Sequence, residues 1–455
     1  MQNDYELMGK ESITKLLFRY SLPATVGMVV AATYNIVDTI FIGRLGSEAI
    51  AALSVAFPIQ MIIGAIGVGV GVGSASLISR SLGAGNTRDA EKAVGQVISL
   101  ALAFGLVVAL ASFYYLRPLL ILVGASPEIL GYTEDYTSVI TAWSVVFFLI
   151  MSLNNVVRAE GSPLLSMKIM IASSLLNIAL DPIFIFALGM EVRGAAVATV
   201  LAKSIGAFIL LFHFISGRSS LVLQLKNLKP DWIIIYNIFR IGFASMLRLF
   251  SKNLSLTVTN VLLVGFGHIP IAAMGLFFRI QMLIIMPVVG FSQGLLPLIG
   301  YNYGAEKSSR IRETVIKGFS ISTAFITLLA LIIYINPPTF LRLFTAEAEL
   351  LAMGTYSMRI MMVMLPLIGI QVVSTVFFQA IGKAVPSLFL SLLREVMLFI
   401  PLVLILANYT GLLGIWLARP LSDLLAFIIT FAMISRELKN QNIPLRPLFS
   451  YNEAV

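Results

Sequence analysis

Long apolar stretches, separated by short polar connections, recur along the whole chain. A helix crosses the hydrocarbon core of a bilayer with about 20 apolar residues. The pattern predicts twelve such spans, near residues 15–43, 49–79, 93–116, 136–157, 163–189, 194–216, 237–265, 270–300, 314–336, 352–379, 384–408 and 411–435. We therefore expect an all-α polytopic membrane protein with both termini on the same side, because the number of spans is even.

The basic residues indicate which side that is. The connections on the side of the termini hold 20 Lys and Arg residues, against four on the other side: Arg44, Arg117, Arg193 and Arg342. Cytoplasmic connections of membrane proteins carry the excess of basic residues. We therefore expect a multi-pass protein of the cell (inner) membrane with both termini cytoplasmic.

The composition narrows the classes of function. Of 455 residues, 58% are hydrophobic and 12% are charged, whereas soluble proteins have about 25% charged residues. The net charge of +9 is explained by the cytoplasmic connections, so we expect no nucleic-acid partner. Cysteine is absent, which excludes disulfides and thiolate metal sites. Gly67, Gly69, Gly71 and Gly73 lie inside the second span, where small residues permit close helix packing. We find no enzyme motif, and expect no catalytic residue and no cofactor.

The chain repeats itself at a fixed offset. Phe57-Pro58-Ile59-Gln60-Met61-Ile62-Ile63 resembles Phe278-Arg279-Ile280-Gln281-Met282-Leu283-Ile284, and 278 − 57 = 221. Several glycines match at the same offset, among them Gly69 and Gly290. The repeat predicts two pseudo-symmetric six-helix bundles around a central cavity. We divide the chain into an N-terminal lobe (1–216), a cytoplasmic linker (217–236), a C-terminal lobe (237–440) and a cytoplasmic tail (441–455).

Two carboxylates lie inside predicted spans of the first half, Asp38 in span 1 and Asp181 in span 5. An ionisable residue within the bilayer is costly and indicates function. Tyr34 and Asn177 each lie one helical turn before one of these carboxylates, and Thr199 in span 6 falls at a similar depth. Oxygens of these kinds suit a proton shared by the pair, or a bound Na⁺. The alternative is structural: each Asp pairs with a basic residue or caps a helix end.

The second half does not repeat this carboxylate pair, because the offset leads from Asp38 to Thr259 and from Asp181 to Leu402. It carries other intramembrane charges: Arg248, Lys252, Arg279, Arg359, Arg394, Glu395, Arg419 and Asp423. We expect most of these to be structural, with Arg394 or Arg419 neutralised by Glu395 or Asp423. Lys203 in span 6 either extends towards the membrane surface or contacts substrate.

Taken together, these residues resemble the multidrug and toxic compound extrusion (MATE) transporters. The resemblance covers about residues 10–440, and four features carry it: the segment from Tyr34 to Gly46, the segment from Leu180 to Ile185 with Gly194-Ala195-Ala196, Arg158-Ala159-Glu160-Gly161, and the Gln60/Gln281 repeat. Within the family, the sequence is most similar to the DinF-like and archaeal branch.

The resemblance implies a monomeric secondary antiporter in which influx of H⁺ or Na⁺ drives export of amphipathic, often cationic small molecules. Carried over by position, the proton or Na⁺ site would be Asp38, Asn177, Asp181 and Thr199, and the substrate cavity would include Tyr34, Asn154 and Ser174. We expect Pro23 and Pro182 to act as hinges, because proline interrupts helical hydrogen bonding. Two alternatives stay open. Arg248, Lys252 and Arg279 would suit a flippase for lipids or lipid-linked saccharides, and a passive channel is a rival of another class.

Overall fold

The computed structural model describes residues 4–441, and within this range every regular element is helical. The first half comprises α1 (Ile13–Gly43), α2 (Ser47–Gly83), α3 (Thr87–Val123), α4 (Pro127–Ala142), α5 (Ser144–Ala159), α6 (Pro163–Pro182) and α7 (Glu191–Ile215). The second half comprises α8 (Trp232–Val264), α9 (His268–Gly304), α10 (Ser308–Ile335), α11 (Pro337–Leu341), α12 (Ala348–Met362), α13 (Ile368–Ala380), α14 (Ala384–Leu392), α15 (Ile400–Thr410) and α16 (Leu412–Asn440). The predicted tail from residue 442 onwards lies outside the described residues.

The twelve predicted spans are confirmed, although two of them are not single helices. Within residues 4–441, ten helical segments are long and apolar enough to cross a membrane. The other two spans are bent pairs: α4 and α5 meet at 55°, and α12 joins the segment 365–380 at 44°. On the outer surface, apolar side chains are exposed, for example Phe113 (81%) and Leu122 (83%) on α3. Lipid is the solvent that such a surface requires.

The internal repeat is visible in the bounds of the helices. Helices α2 and α9 begin at residues 47 and 268, α3 and α10 at 87 and 308, α6 and α14 at 163 and 384, and α7 and α16 at 191 and 412. Each pair is separated by the 221 residues of the sequence repeat. The first helix of the second half begins earlier than predicted. Helix α8 begins at Trp232, whereas the predicted span begins near residue 237, and Asp231 accepts hydrogen bonds from its first turn.

Glycines let the two halves approach backbone to backbone. A Cβ on Gly73 of α2 would lie 2.0 Å from the Ile238 carbonyl oxygen of α8. At the position related by the repeat, a Cβ on Gly294 of α9 would lie 2.6 Å from the Cα of Ser21 on α1. The glycines of span 2 therefore have the packing role that the sequence predicts.

The halves are also joined at the end of the molecule where α1 begins. Gly83 and Gly304, the last residues of α2 and α9, pack against the carbonyl oxygens of Tyr301 and Arg80 respectively. In addition, the Arg310 guanidinium donates hydrogen bonds to backbone oxygens of the segment before α1, at 2.9 and 2.6 Å. We name this end of the molecule the closed end, and the contact of α2 and α9 at Gly83 and Gly304 the glycine crossing. There is no room for a side chain at the glycine crossing.

Candidate functional site

The polar residues predicted in the first half come together in one buried cluster. Asp181 is fully buried and Asp38 is 8% exposed. The Asn177 amide donates to Asp181 Oδ1 at 3.0 Å and to Thr199 Oγ1 at 3.3 Å. The Asp38 and Asp181 carboxyl groups are neighbours. We call these four residues the carboxylate cluster.

Three helices position the carboxylate cluster. Asp38 lies on α1, Thr199 lies on α7, and Asn177 and Asp181 lie one turn apart on the same face of α6. Helix α6 ends at Pro182 and continues as a π-helical segment, Ile183–Ala187. Proline has no N–H for the carbonyl four residues earlier, and π segments are frequent at functional sites. By contrast, α1 continues unbroken through Pro23.

Several oxygens of the carboxylate cluster are left without a partner. Within residues 4–441, the buried atoms Asp38 Oδ1, Asn177 Oδ1 and Asp181 Oδ2 accept no hydrogen bond. A buried acceptor without a donor is costly. A proton on the pair, or a small hard cation bound by these oxygens, would remove that cost. These oxygens therefore fit either of the two ions that the sequence suggests, H⁺ or Na⁺.

Two residues beside the carboxylate cluster were not assigned from the sequence. Tyr136 on α4 is buried and lies beside Gln60, near Asp38 and Asp181. Phe147 on α5 contacts the Lys203 ammonium with its ring. The Lys203 nitrogen lies 5.4 Å from the centroid of the Phe147 ring. Neither residue has an intramembrane charge to mark it. Only the repeated Gln60 gave an indirect signal for Tyr136.

Lys203 is turned inward and not towards the membrane surface. Its ammonium lies 3.3 Å from the Tyr34 hydroxyl and 5.5 Å from the centroid of the Tyr34 ring. The charge also acts on Asp38. The sequence offered two alternatives for this residue, and the structure favours the one that places it in the cavity.

A cavity of about 540 Å³ lies between the two halves. The three predicted cavity residues, Tyr34, Asn154 and Ser174, all line it, as do Asn177 and Thr199. Asp38 and Asp181 are not lining residues, so they sit behind the wall. The second half contributes apolar side chains and a set of charged ones.

Four of the eight intramembrane charges of the second half are neutralised locally, in the pairs that the sequence offered. Arg419 binds Glu395 through both oxygens, at 2.9 and 3.0 Å. Arg394 pairs with the fully buried Asp423 at 2.6 Å. These two pairs form part of the cavity wall, since Arg394, Glu395 and Arg419 line it.

The three basic residues named for the flippase alternative, which have no ion-pair partner among residues 4–441, differ in where they lie. Arg248 and Lys252 line the cavity. Arg279 is exposed and is not among the lining residues. Two of the three residues thus remain relevant to a ligand in the cavity.

Two packed halves with a cavity between them and buried carboxylates beside it are the features expected of a membrane transporter. The MatE family matches the chain twice, at residues 23–183 and 244–405. The two matches begin 221 residues apart. The chain belongs to the MatE family of transporters, and it is a multi-pass membrane protein of the multidrug efflux class.

Known relatives cover nearly the whole chain. It is 30% identical over 436 residues to the multidrug export protein MepA of Staphylococcus haemolyticus, covering 94% of this chain and 95% of the relative. MepA of Staphylococcus aureus strain MSSA476 is also 30% identical, over 433 residues, with the same coverage. Among solved structures, the outward-facing conformation of a multidrug resistance MATE family transporter matches with a TM-score of 0.91 at 26% identity, covering 97% of this chain and 99% of that one. These relatives are transporters and not enzymes.

Proposed function

We propose that the protein is a secondary active antiporter that exports amphipathic small molecules in exchange for H⁺ or Na⁺. The observation that supports this most is the carboxylate cluster, with three buried oxygens that lack donors. A coupling ion would occupy Asp38, Asn177, Asp181 and Thr199. No other cofactor is needed, because an ion gradient supplies the free energy.

The cluster shares residues with the cavity wall, which gives a route for coupling. Asn177 and Thr199 face the cavity and also hydrogen-bond within the carboxylate cluster. An ion that neutralises the carboxylates would change those bonds, and with them the wall. Pro182, where α6 passes into its π segment, and Pro23 in α1 are the proposed hinges. Alternating access would then be a change in the packing of lobes 1–216 and 237–440 about the linker 217–236.

The charge bias of the connections supports an inner-membrane orientation with cytoplasmic termini. In that orientation the closed end faces the cytoplasm. We propose a monomer in the lipid bilayer, because each chain contains both lobes and the whole cavity between them.

The alternatives make different predictions. A lipid or lipid-linked saccharide flippase is favoured by Arg248 and Lys252 in the cavity wall. A passive channel is the other rival. In proteoliposomes, an antiporter accelerates exchange of labelled substrate against internal unlabelled substrate, whereas a channel shows no such counterflow.

The deciding experiment replaces Asp38, with its counterpart in the repeat as control. Asp38→Asn keeps the shape of the side chain but removes the charge, so ion-driven export should be lost while the protein still reaches the membrane. Thr259→Val changes the equivalent buried position, where the hydroxyl only bonds to the Ser255 carbonyl, and should have little effect. Proton and sodium fluxes measured in one liposome preparation would identify the ion. Normal ion-driven export by Asp38→Asn would contradict the proposal.

A further inference from the structure

The cavity wall carries far more positive than negative charge. Six basic side chains line it, Arg158, Lys203, Arg248, Lys252, Arg394 and Arg419, against one carboxylate, Glu395. The proposed coupling carboxylates lie behind the wall, where Asp38 interacts with the charge of Lys203, so they offset charge in the first half but not that of Arg248 and Lys252. A cationic substrate alone would leave this charge uncompensated.

Among the cavity-lining residues of the second half, the paired charges cancel and two cations are left. Arg394 and Arg419 are balanced by Asp423 and Glu395. Arg248 and Lys252 have no ion-pair or hydrogen-bond partner within residues 4–441. The carboxylate that acts on Lys252 is Glu395, which Arg419 already holds.

The two unpaired cations share one face of α8, because four residues separate them. Arg248 is the central residue of Trp232–Val264, 16 residues from each end. Both ends of the helix are therefore about 24 Å away. A residue at the middle of a hydrocarbon core about 30 Å thick lies about 15 Å from either surface, which is beyond the reach of an arginine side chain. A charge held at this depth without a partner is costly and indicates a functional contact.

Helix α9 contributes apolar side chains to the same cavity. Met282, Ile285, Met286 and Val289 follow one face of α9 and line the cavity, together with Gln281 and Gln293. Methionine adapts to ligands of different shape. The cavity therefore has two cations on α8 and adaptable apolar side chains on α9.

We propose that Arg248 and Lys252 bind the anionic group, a carboxylate or phosphate, of an amphiphilic substrate whose apolar body packs against α9. Arginine offers a planar fork for two anionic oxygens, and lysine adds a point charge. This site extends the expected substrate range from cations to amphiphiles that carry an anion. It rests on the proposed function for the transport step, but not for binding.

Binding is tested with two probes of the same apolar body and opposite charge, 1-naphthoate and 1-naphthylmethylammonium. Full-length protein in phosphatidylcholine nanodiscs is titrated by fluorescence, with empty nanodiscs as the blank. Arg248→Gln combined with Lys252→Gln should weaken naphthoate binding about tenfold or more, since two charge-assisted contacts are lost. Arg279→Gln, which removes a cation outside the cavity, should bind like the wild type. Thermal unfolding without ligand should occur at the same or a higher temperature in the double variant, because no protein partner is lost and two unpaired intramembrane charges are removed.

The site is overturned if the double variant binds naphthoate as tightly as the wild type, or if Arg279→Gln weakens binding equally. Transport is measured separately, as counterflow of naphthoate and as flipping of fluorescent phosphatidylglycerol in proteoliposomes. Naphthoate counterflow that the double variant loses supports the site with a soluble acid as substrate, and loss of lipid flipping supports it with a lipid head group. Binding that depends on the pair, without transport of any probe, supports the site and contradicts export. Counterflow of the ammonium probe without anion binding supports export and overturns the site.

Discussion

The glycine crossing at the closed end offers a direct test of alternating access. Gly83 lies at the last turn of α2, where a Cβ would be 1.9 Å from the Tyr301 carbonyl oxygen of α9. Its backbone is helical, so Gly83→Ala adds one methyl group without straining its own φ angle. The substitution therefore acts on the contact between the two helices and on little else.

The size of the effect follows from that distance. Real Cβ contacts are almost never shorter than 3.0 Å, so α2 and α9 must separate by about 1 Å to admit the methyl group. Overpacking of this kind costs about 1–3 kcal/mol. The cost applies only while the end is closed, because the helices part when it opens. The ratio of closed to open molecules should therefore fall by about 5- to 150-fold.

The chain is suited to the measurement because it contains no cysteine. Nitroxide labels at Arg88→Cys and Ser309→Cys would sit at exposed, repeat-related positions where α3 and α10 begin. Pulsed electron paramagnetic resonance should show a longer distance gaining population in Gly83→Ala. Gly275→Ala on α9 is the matched control, since no atom lies within 4 Å of its Cβ. A distance distribution in Gly83→Ala identical to that of the unsubstituted labelled protein would refute the reasoning.

Three further predictions concern charged groups. Arg419→Met leaves the buried Glu395 without its bidentate partner, which should lower the free energy of unfolding by about 3–5 kcal/mol. Replacing both residues by apolar ones should be much milder, and equal losses of thermal stability in the two variants would contradict this. Hydrogen bonding from Lys92, then from the first turn of α8, lowers the pKa of Asp231. The stability it contributes should be present at neutral pH and lost as the pH falls below about 4, so the acid limb of the thermal stability profile should be flatter in Asp231→Asn. Lys203→Met removes a positive charge beside the carboxylate cluster, so cation affinity there should rise; an unchanged ion dependence of transport would argue against the contact.

Much of the fold follows from the sequence because lipid restricts the choice of structure. A backbone inside the bilayer must satisfy its own hydrogen bonds, so each long apolar stretch becomes a helix. The repeat then fixed which helices correspond, and the starts of α2, α3, α6 and α7 agree with it to the residue. The bends within the fourth and tenth spans were not predicted, because the apolar pattern continues through both breaks.

The sequence by itself also predicted which residues form the carboxylate cluster, from their spacing and depth along three spans and from the family resemblance. That these spans are neighbours is decided by the fold. Only the tertiary structure decided which basic residues matter. The sequence placed Arg248, Arg279 and Arg419 alike within predicted spans, and it offered partners only for Arg419. In the fold, Arg419 is neutralised by Glu395, Arg279 lies outside the cavity, and Arg248 faces the cavity with no partner among residues 4–441. The physical reason is that the pairing and orientation of a charge depend on helices far apart in the chain, which no local pattern records.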